Sequence, residues 1–148
     1  MDFVNNKTQM IELVQAPSAA NLTQLEIPYQ SFLADKKVFG LETYCSGDLT
    51  LSPTGNAIIT PAILQNAYLN LYFKAAANRS EGFFVQNLPL ISLHRMHSLT
   101  TTSYVLDQFL IDGPVVYWEK SFIKLGAPMA NGANISFMLN VSYQDPNN

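Results

Sequence analysis

The sequence predicts an all-β domain: a single jelly-roll β-barrel or sandwich of about eight antiparallel strands, with at most one or two short helices. Three observations carry that expectation. Ile135, Phe137, Leu139, Val141 and Tyr143 fall at every second position, with Asn134, Ser136, Asn140 and Ser142 between them. Successive side chains of a strand point to opposite faces, so this spacing gives one apolar face and one mostly polar face. A helix would scatter the same five residues around its circumference. The pattern recurs upstream, where Leu69, Leu71 and Phe73 alternate with Tyr68, Asn70, Tyr72 and Lys74. Turn signals then divide the rest into short runs, with no coiled-coil heptad or internal repeat. Strands without interleaved helices imply antiparallel sheets, and the 148 residues are enough for one jelly roll. An immunoglobulin-like sandwich is the rival; its Cys–Trp–Cys framework is missing.

Element by element, residues 1–9 are polar and irregular, a candidate arm, and Met10–Val14 is a short strand ended by Ala16-Pro17-Ser18. Leu25, Ile27 and Tyr29 alternate with polar residues and with Pro28, which donates no ladder hydrogen bond and so marks an edge strand or bulge. Asp35-Lys36-Lys37 reads as a turn, and Val38–Cys45 as a firm strand. Ser46-Gly47-Asp48 and Ser52–Asn56 are loops flanking Leu49-Thr50-Leu51. Thr60-Pro61 has the form of an N-cap followed by proline at the first helical position, predicting a short helix over Ala62–Ala67 or else an extended segment. Tyr68–Lys74 is a strand, Ala75–Ser80 an exposed connection, and Phe83–Val85 a short strand stopped by Asn87-Leu88-Pro89. Leu90–Leu93 continues the sheet after that break. Tyr104–Ile111 and Val115–Leu125, joined by Asp112-Gly113-Pro114, form a hairpin. Gly126–Pro128 and Asn131-Gly132 bracket the loop before the last strand, and residues 144–148 form a mobile tail. The chain is one domain, 1–148.

Composition narrows the function. Apolar residues make up 48% of the chain, ordinary for a globular protein, whereas charged residues make up 13%, about half the usual share. Thirteen asparagines, with many Ser, Thr and Gln, supply the remaining polarity. Neutral amides and hydroxyls are easier to bury at a contact than charges. A low-charge exterior therefore suits either a loop-rich free surface or a subunit packed against others. The net charge is −3, with eight dispersed Lys and Arg, so no basic stripe is available to displace counterions from a duplex. No direct nucleic-acid binding is expected. The first residues lack the basic start and apolar core of a signal peptide, and no apolar run approaches the roughly 20 residues that span a bilayer. Five Asn-x-Ser/Thr triplets, at Asn6, Asn21, Asn78, Asn134 and Asn140, are expected by chance in so asparagine-rich a chain.

Candidate chemistry is sparse. Cys45 stands alone, which excludes an internal disulfide or an all-cysteine metal site and predicts a buried thiol. His94 and His97 would share a helical face, but their segment does not read as a helix, and strand residues three apart point to opposite faces. Both are expected in loops or at a sheet edge. Asp48 with Ser46 and Asn56 offers oxygen ligands without calcium-loop spacing. Glu81, Asp107, Asp112 and Glu119 are carboxylates with no spacing that brings two together as an acid–base pair. No nucleophile turn or phosphate-cradling glycine loop occurs. Tyr68, Tyr72, Tyr117 and Trp118 suit a core or interface, or alternatively a sugar-stacking strip. The expectation is a non-enzyme with no catalytic, cofactor-binding or metal residue and no cofactor.

Two segments carry a resemblance: Lys37–Glu42 leading to Leu51–Asn56, and Trp118–Ile123 leading to Asn134–Phe137. Together they resemble small virion proteins of tailless icosahedral, membrane-containing bacteriophages, over roughly residues 22–143. The resemblance implies a structural virion protein, a homo-oligomeric capsid building block serving as the pentameric vertex or as a minor capsid protein. It transfers no catalytic residues. The implied partners are copies of itself and other capsid proteins, with an internal viral membrane or a host receptor as further candidates. The implied location is the virion, after synthesis in a host cytoplasm without a signal peptide. The alternative is a carbohydrate- or receptor-binding β-sandwich module, such as a phage spike component.

Overall fold

The alternating run at the end of the sequence becomes the central strand of a sheet. The computed structural model describes residues 7–15, 23–94, 113–126 and 134–145. Eight strands lie within them: β1 (Lys7–Gln15), β2 (Gln24–Glu26), β3 (Lys37–Tyr44), β4 (Ala57–Ile58), β5 (Ala67–Phe73), β6 (Gly82–Pro89), β7 (Phe122–Leu125) and β8 (Ile135–Gln144). A single turn of helix, α1 (Pro61–Leu64), and three 3-10 turns complete the described elements. One sheet runs β1-β8-β3, with β4 beside the start of β8; the other runs β2-β7-β5-β6. All pairings between these strands are antiparallel except β4 with β8.

The pairing is nested. β1 pairs with β8, β2 with β7 and β5 with β6, so the chain folds as a long ribbon wound across two sheets. That is jelly-roll wiring.

Register fixes the core. Ile11 and Leu13 stand opposite Leu139 and Phe137, and Val38 and Leu41 opposite Tyr143 and Val141. These inward residues pack with Leu25, Leu69, Leu71 and Ile123 of the second sheet in one buried cluster. Each fully buried aliphatic side chain contributes about 1.5–3 kcal/mol, which is why a period of two in the sequence suffices to set the layers. The outward face of the first sheet carries Glu12, whose carboxylate accepts from Ser136 at 2.5 Å and Thr54 at 2.7 Å. It ties β1 to β8 and to the Ser52–Asn56 loop.

Several expectations change. Lys7, Thr8 and Gln9 are not part of an arm: they pair with Tyr143, Ser142 and Val141 in β1. The tail is likewise held at its start, since Gln144 ends β8 and Asp145 accepts from Lys7 at 3.0 Å and Lys36 at 2.5 Å. The helix spans Pro61–Leu64, shorter than predicted, with the Thr60 hydroxyl accepting from the Ile63 N–H as the cap. Ala67 already belongs to β5. Asn87-Leu88-Pro89 does not stop β6. Asn87 adopts a φ of 51°, and the Asn70 side-chain oxygen accepts its N–H at 3.0 Å, so the strand passes through a bulge instead of ending.

Leu90–Leu93 does not run as sheet, and Val115–Leu125 does so only over its last residues, Phe122–Leu125, which form β7. Leu90–Leu93 is a 3-10 turn that leaves β6 in the second sheet and brings His94 beside Thr43 of the first. Val115 bridges Lys37 of the first sheet, Val116 bridges Phe73 of the second, and a 3-10 turn over Trp118–Lys120 precedes β7. Both segments cross between layers. Their apolar residues are buried at the crossing, not along a ladder, so hydrophobicity alone did not distinguish them from strand. The hairpin partner and residues 1–6 and 146–148 lie outside the described residues.

Candidate functional site

The described side chains that bring together different chemistries converge at the C-terminal end of β3. Cys45 follows the last strand residue, Tyr44, where the ladder with β8 has ended. The chain then turns tightly: Ser46 bridges Leu49, and Gly47 sits at φ 107°, a conformation that favours glycine. This turn folds Asp48 back, so that its Oδ2 accepts the Cys45 backbone N–H at 3.0 Å while its own N–H donates to the Cys45 carbonyl at 3.0 Å. From the opposite side comes His94, held at the end of the Leu90–Leu93 turn by its N–H to Ile91 O at 3.1 Å and by its bridge to Thr43.

Three donor atoms thereby meet. His94 Nε2 lies 2.7 Å from Asp48 Oδ2 and 3.4 Å from Cys45 Sγ, and Sγ lies 3.5 Å from the same carboxylate oxygen. The site is largely enclosed: the Asp48 and His94 side chains are 8% and 18% exposed, and Cys45 is buried. Burial pushes the Asp48 carboxyl up, but hydrogen bonds from the Cys45 N–H, His94 and the thiol outweigh it and hold the group below the usual carboxylate range. Burial and the neighbouring Asp48 both push the Cys45 thiol up.

A cysteine nucleophile works as a thiolate, favoured by cationic surroundings, and Cys45 has the Asp48 carboxylate 3.5 Å from its sulfur. A Cys–His–Asp relay also needs the two imidazole nitrogens to serve separate partners. Here Nε2 faces both the thiol and the carboxylate. The arrangement gathers a thiol sulfur, an imidazole nitrogen and a carboxylate oxygen within contact distance of one another.

Of the other predicted candidates, His97, Asp107 and Asp112 lie outside the described residues. Glu81 and Glu119 are exposed. Asp48 is directed at Cys45 and His94, while Ser46 and Asn56 stabilise their own loops: the Ser46 N–H donates to Ile59 O at 2.7 Å, and Asn56 donates to Ser52 Oγ and Thr54 Oγ1. The sequence predicts His94 in a loop or at a sheet edge and Cys45 as a buried thiol, without joining them; His94 bridges Thr43, and Cys45 is buried. Forty-nine positions separate the two, and only the sheet-to-sheet crossing brings them together.

The second sheet presents an aromatic outer face. Tyr72 packs edge-on against Phe83 at 5.0 Å and Tyr117 at 6.0 Å, and Phe83 against Phe122 at 5.8 Å between ring centroids. The Lys120 ammonium lies 4.6 Å from the Tyr117 centroid and 4.7 Å from that of Tyr72. A sugar-stacking platform needs a free ring face, and here edges and an ammonium engage the tyrosines. Trp118 is buried in the core and offers no platform. Further out, Phe83 and Phe84 on the edge strand β6 are exposed, as are Tyr29, Phe32 and Leu51. No helix among the described residues is long and apolar enough to cross a membrane. Comparison with protein-family models, curated proteins and solved structures finds no match to this chain.

Proposed function

We propose that this chain is a structural virion protein: a homo-oligomeric capsid building block of the pentameric-vertex or minor-capsid type, packed against its own copies and other capsid proteins. The observation that carries the reading is the nested pairing of β1 with β8, β2 with β7 and β5 with β6. A single jelly roll is a self-contained block whose edges and loop ends remain free for neighbours. A fold by itself hosts many functions, so the surface must supply the rest of the argument.

It does so in two ways. The exterior is poor in charge, and charges are what oppose burial at a subunit contact. The strand β6, at the edge of its sheet among the described residues, also carries the exposed Phe83 and Phe84. An edge of this kind is a liability in a solitary protein and an asset when a neighbour covers it. The engaged tyrosine faces weigh against the sugar-binding alternative.

The test is size-exclusion chromatography with light scattering on the full chain, repeated with Phe84→Glu. Pentamers or larger closed assemblies are expected, weakened by the substitution. A 16.4 kDa monomer persisting at high concentration and retained on a glycan array would overturn the proposal in favour of the binding module.

A further inference from the structure

We propose that Cys45, Asp48 and His94 form a binding site for a transition-metal dication, zinc by preference, that fastens the end of β3 to the segment crossing from the second sheet. The three donor atoms are a thiol sulfur, an imidazole nitrogen and a carboxylate oxygen, all within 4.8 Å of one another. This mixture of soft, borderline and hard donors suits zinc and disfavours magnesium or calcium, which take oxygen ligands. The spacing also fits. Tetrahedral zinc with its usual bond lengths places ligand atoms roughly 3.3–3.6 Å apart. The two sulfur separations, 3.4 and 3.5 Å, already match, and the His94–Asp48 pair at 2.7 Å would open by roughly 0.6 Å as the metal replaces their hydrogen bond.

The backbone supports the geometry. Asp48 is oriented by the Cys45 N–H and by the turn at Gly47, and His94 by its bridge to Thr43, so two of the ligands approach on fixed elements. Binding releases the thiol proton to solvent and requires the His94 tautomer protonated on Nδ1, leaving Nε2 to donate its lone pair. The described residues supply three ligands. The site goes beyond the virion reading, because a monomer would bind the metal equally well.

The full chain, stripped with a chelator under reducing conditions, is titrated with cobalt(II) chloride. One equivalent should give the strong visible absorption of a tetrahedral site and a thiolate-to-cobalt charge-transfer band, both bleached by one equivalent of zinc chloride. Cys45→Ser should abolish the charge-transfer band, and His94→Ala or Asp48→Asn should weaken cobalt binding by more than about 100-fold. Zinc should raise the melting temperature of the unsubstituted protein and leave Cys45→Ser unmoved. A weak octahedral cobalt spectrum without charge transfer in the unsubstituted protein would overturn the proposal even if no variant folds. Equal zinc stabilisation of Cys45→Ser would overturn it as well.

Discussion

Leu71 and Leu51 permit the same chemical change in two opposite settings. Leu71 lies in β5, flanked in the second sheet by β6 and β7, and is 0% exposed; Leu51 lies in a loop and is 57% exposed. Leu71→Ala removes buried apolar surface and leaves a cavity. Leu71 pairs with Val85 of β6, and its neighbour Asn70 with Phe122 of β7, so the adjoining strands limit how far the site can collapse to fill the space. A loss in the upper part of the usual range for such changes follows, about 3–4 kcal/mol. Against a typical total of about 5–15 kcal/mol this is a large fraction, and it corresponds to a fall in Tm of roughly 10 °C for a chain of this length. Leu51→Ala should stay within about 0.5 kcal/mol. The assay is urea unfolding followed by tryptophan fluorescence, which is unambiguous because Trp118 is the sole tryptophan and is buried. A loss below about 1 kcal/mol for Leu71→Ala, or equal losses for the two variants, would refute the assignment of β5 to the core.

Three further outcomes follow from single sites. Burial pushes the Glu12 carboxyl up, but hydrogen bonds from Ser136, Ser52 and Thr54 outweigh it and hold the group below its ordinary 4.5. Its stabilising contribution is therefore present above that pH and fades as pH falls through and below it; urea midpoints should decline in this window for the unsubstituted protein and less steeply for Glu12→Gln. Asn70→Ala removes the acceptor for the Asn87 N–H at the β6 bulge, and should cost about 1 kcal/mol and speed amide exchange at Asn87. Gly113 has a φ of 55°, and a Cβ there would stand 2.5 Å from the Phe39 ring, so Gly113→Ala should cost about 1–3 kcal/mol by thermal denaturation.

The strands that the sequence reveals most plainly are those whose apolar residues keep a period of two. In β8 and β5 that alternation places Phe137, Leu139, Val141 and Tyr143, and Leu69, Leu71 and Phe73, in the core, whereas in β3 a bulge between Val38 and Gly40 interrupts it. The segments that cross between sheets are legible as apolar but not in shape. Val115 and Val116 pair with different sheets on successive residues, and Leu90–Leu93 turns a corner while burying Leu90 and Leu93. Neither has a period. Hydrophobic content there reflects burial at the rim of the core, and a reading from periodicity extends the neighbouring strand through it. β6 fails in the opposite sense: Asn87 and Pro89 are strong breaking signals, yet the Asn70 side chain replaces the interrupted pairing.

The Cys45–Asp48–His94 site was hidden by the same cause. Cys45 and Asp48 are three residues apart, and a turn with glycine at its third position is readable as a turn, but nothing local says that both polar ends will face a third group. That third group arrives from 49 positions away, on one of the corner segments whose shape periodicity misses. The crossing out of β6 delivers His94, just past a second-sheet strand, to the end of β3 in the first sheet. The corners of the wiring, where the ladder hydrogen bonds stop and side chains must satisfy what the backbone leaves open, are therefore where unlike chemistries gather in this fold. Their contents follow from topology, and a linear pattern holds that topology only through the strands on either side.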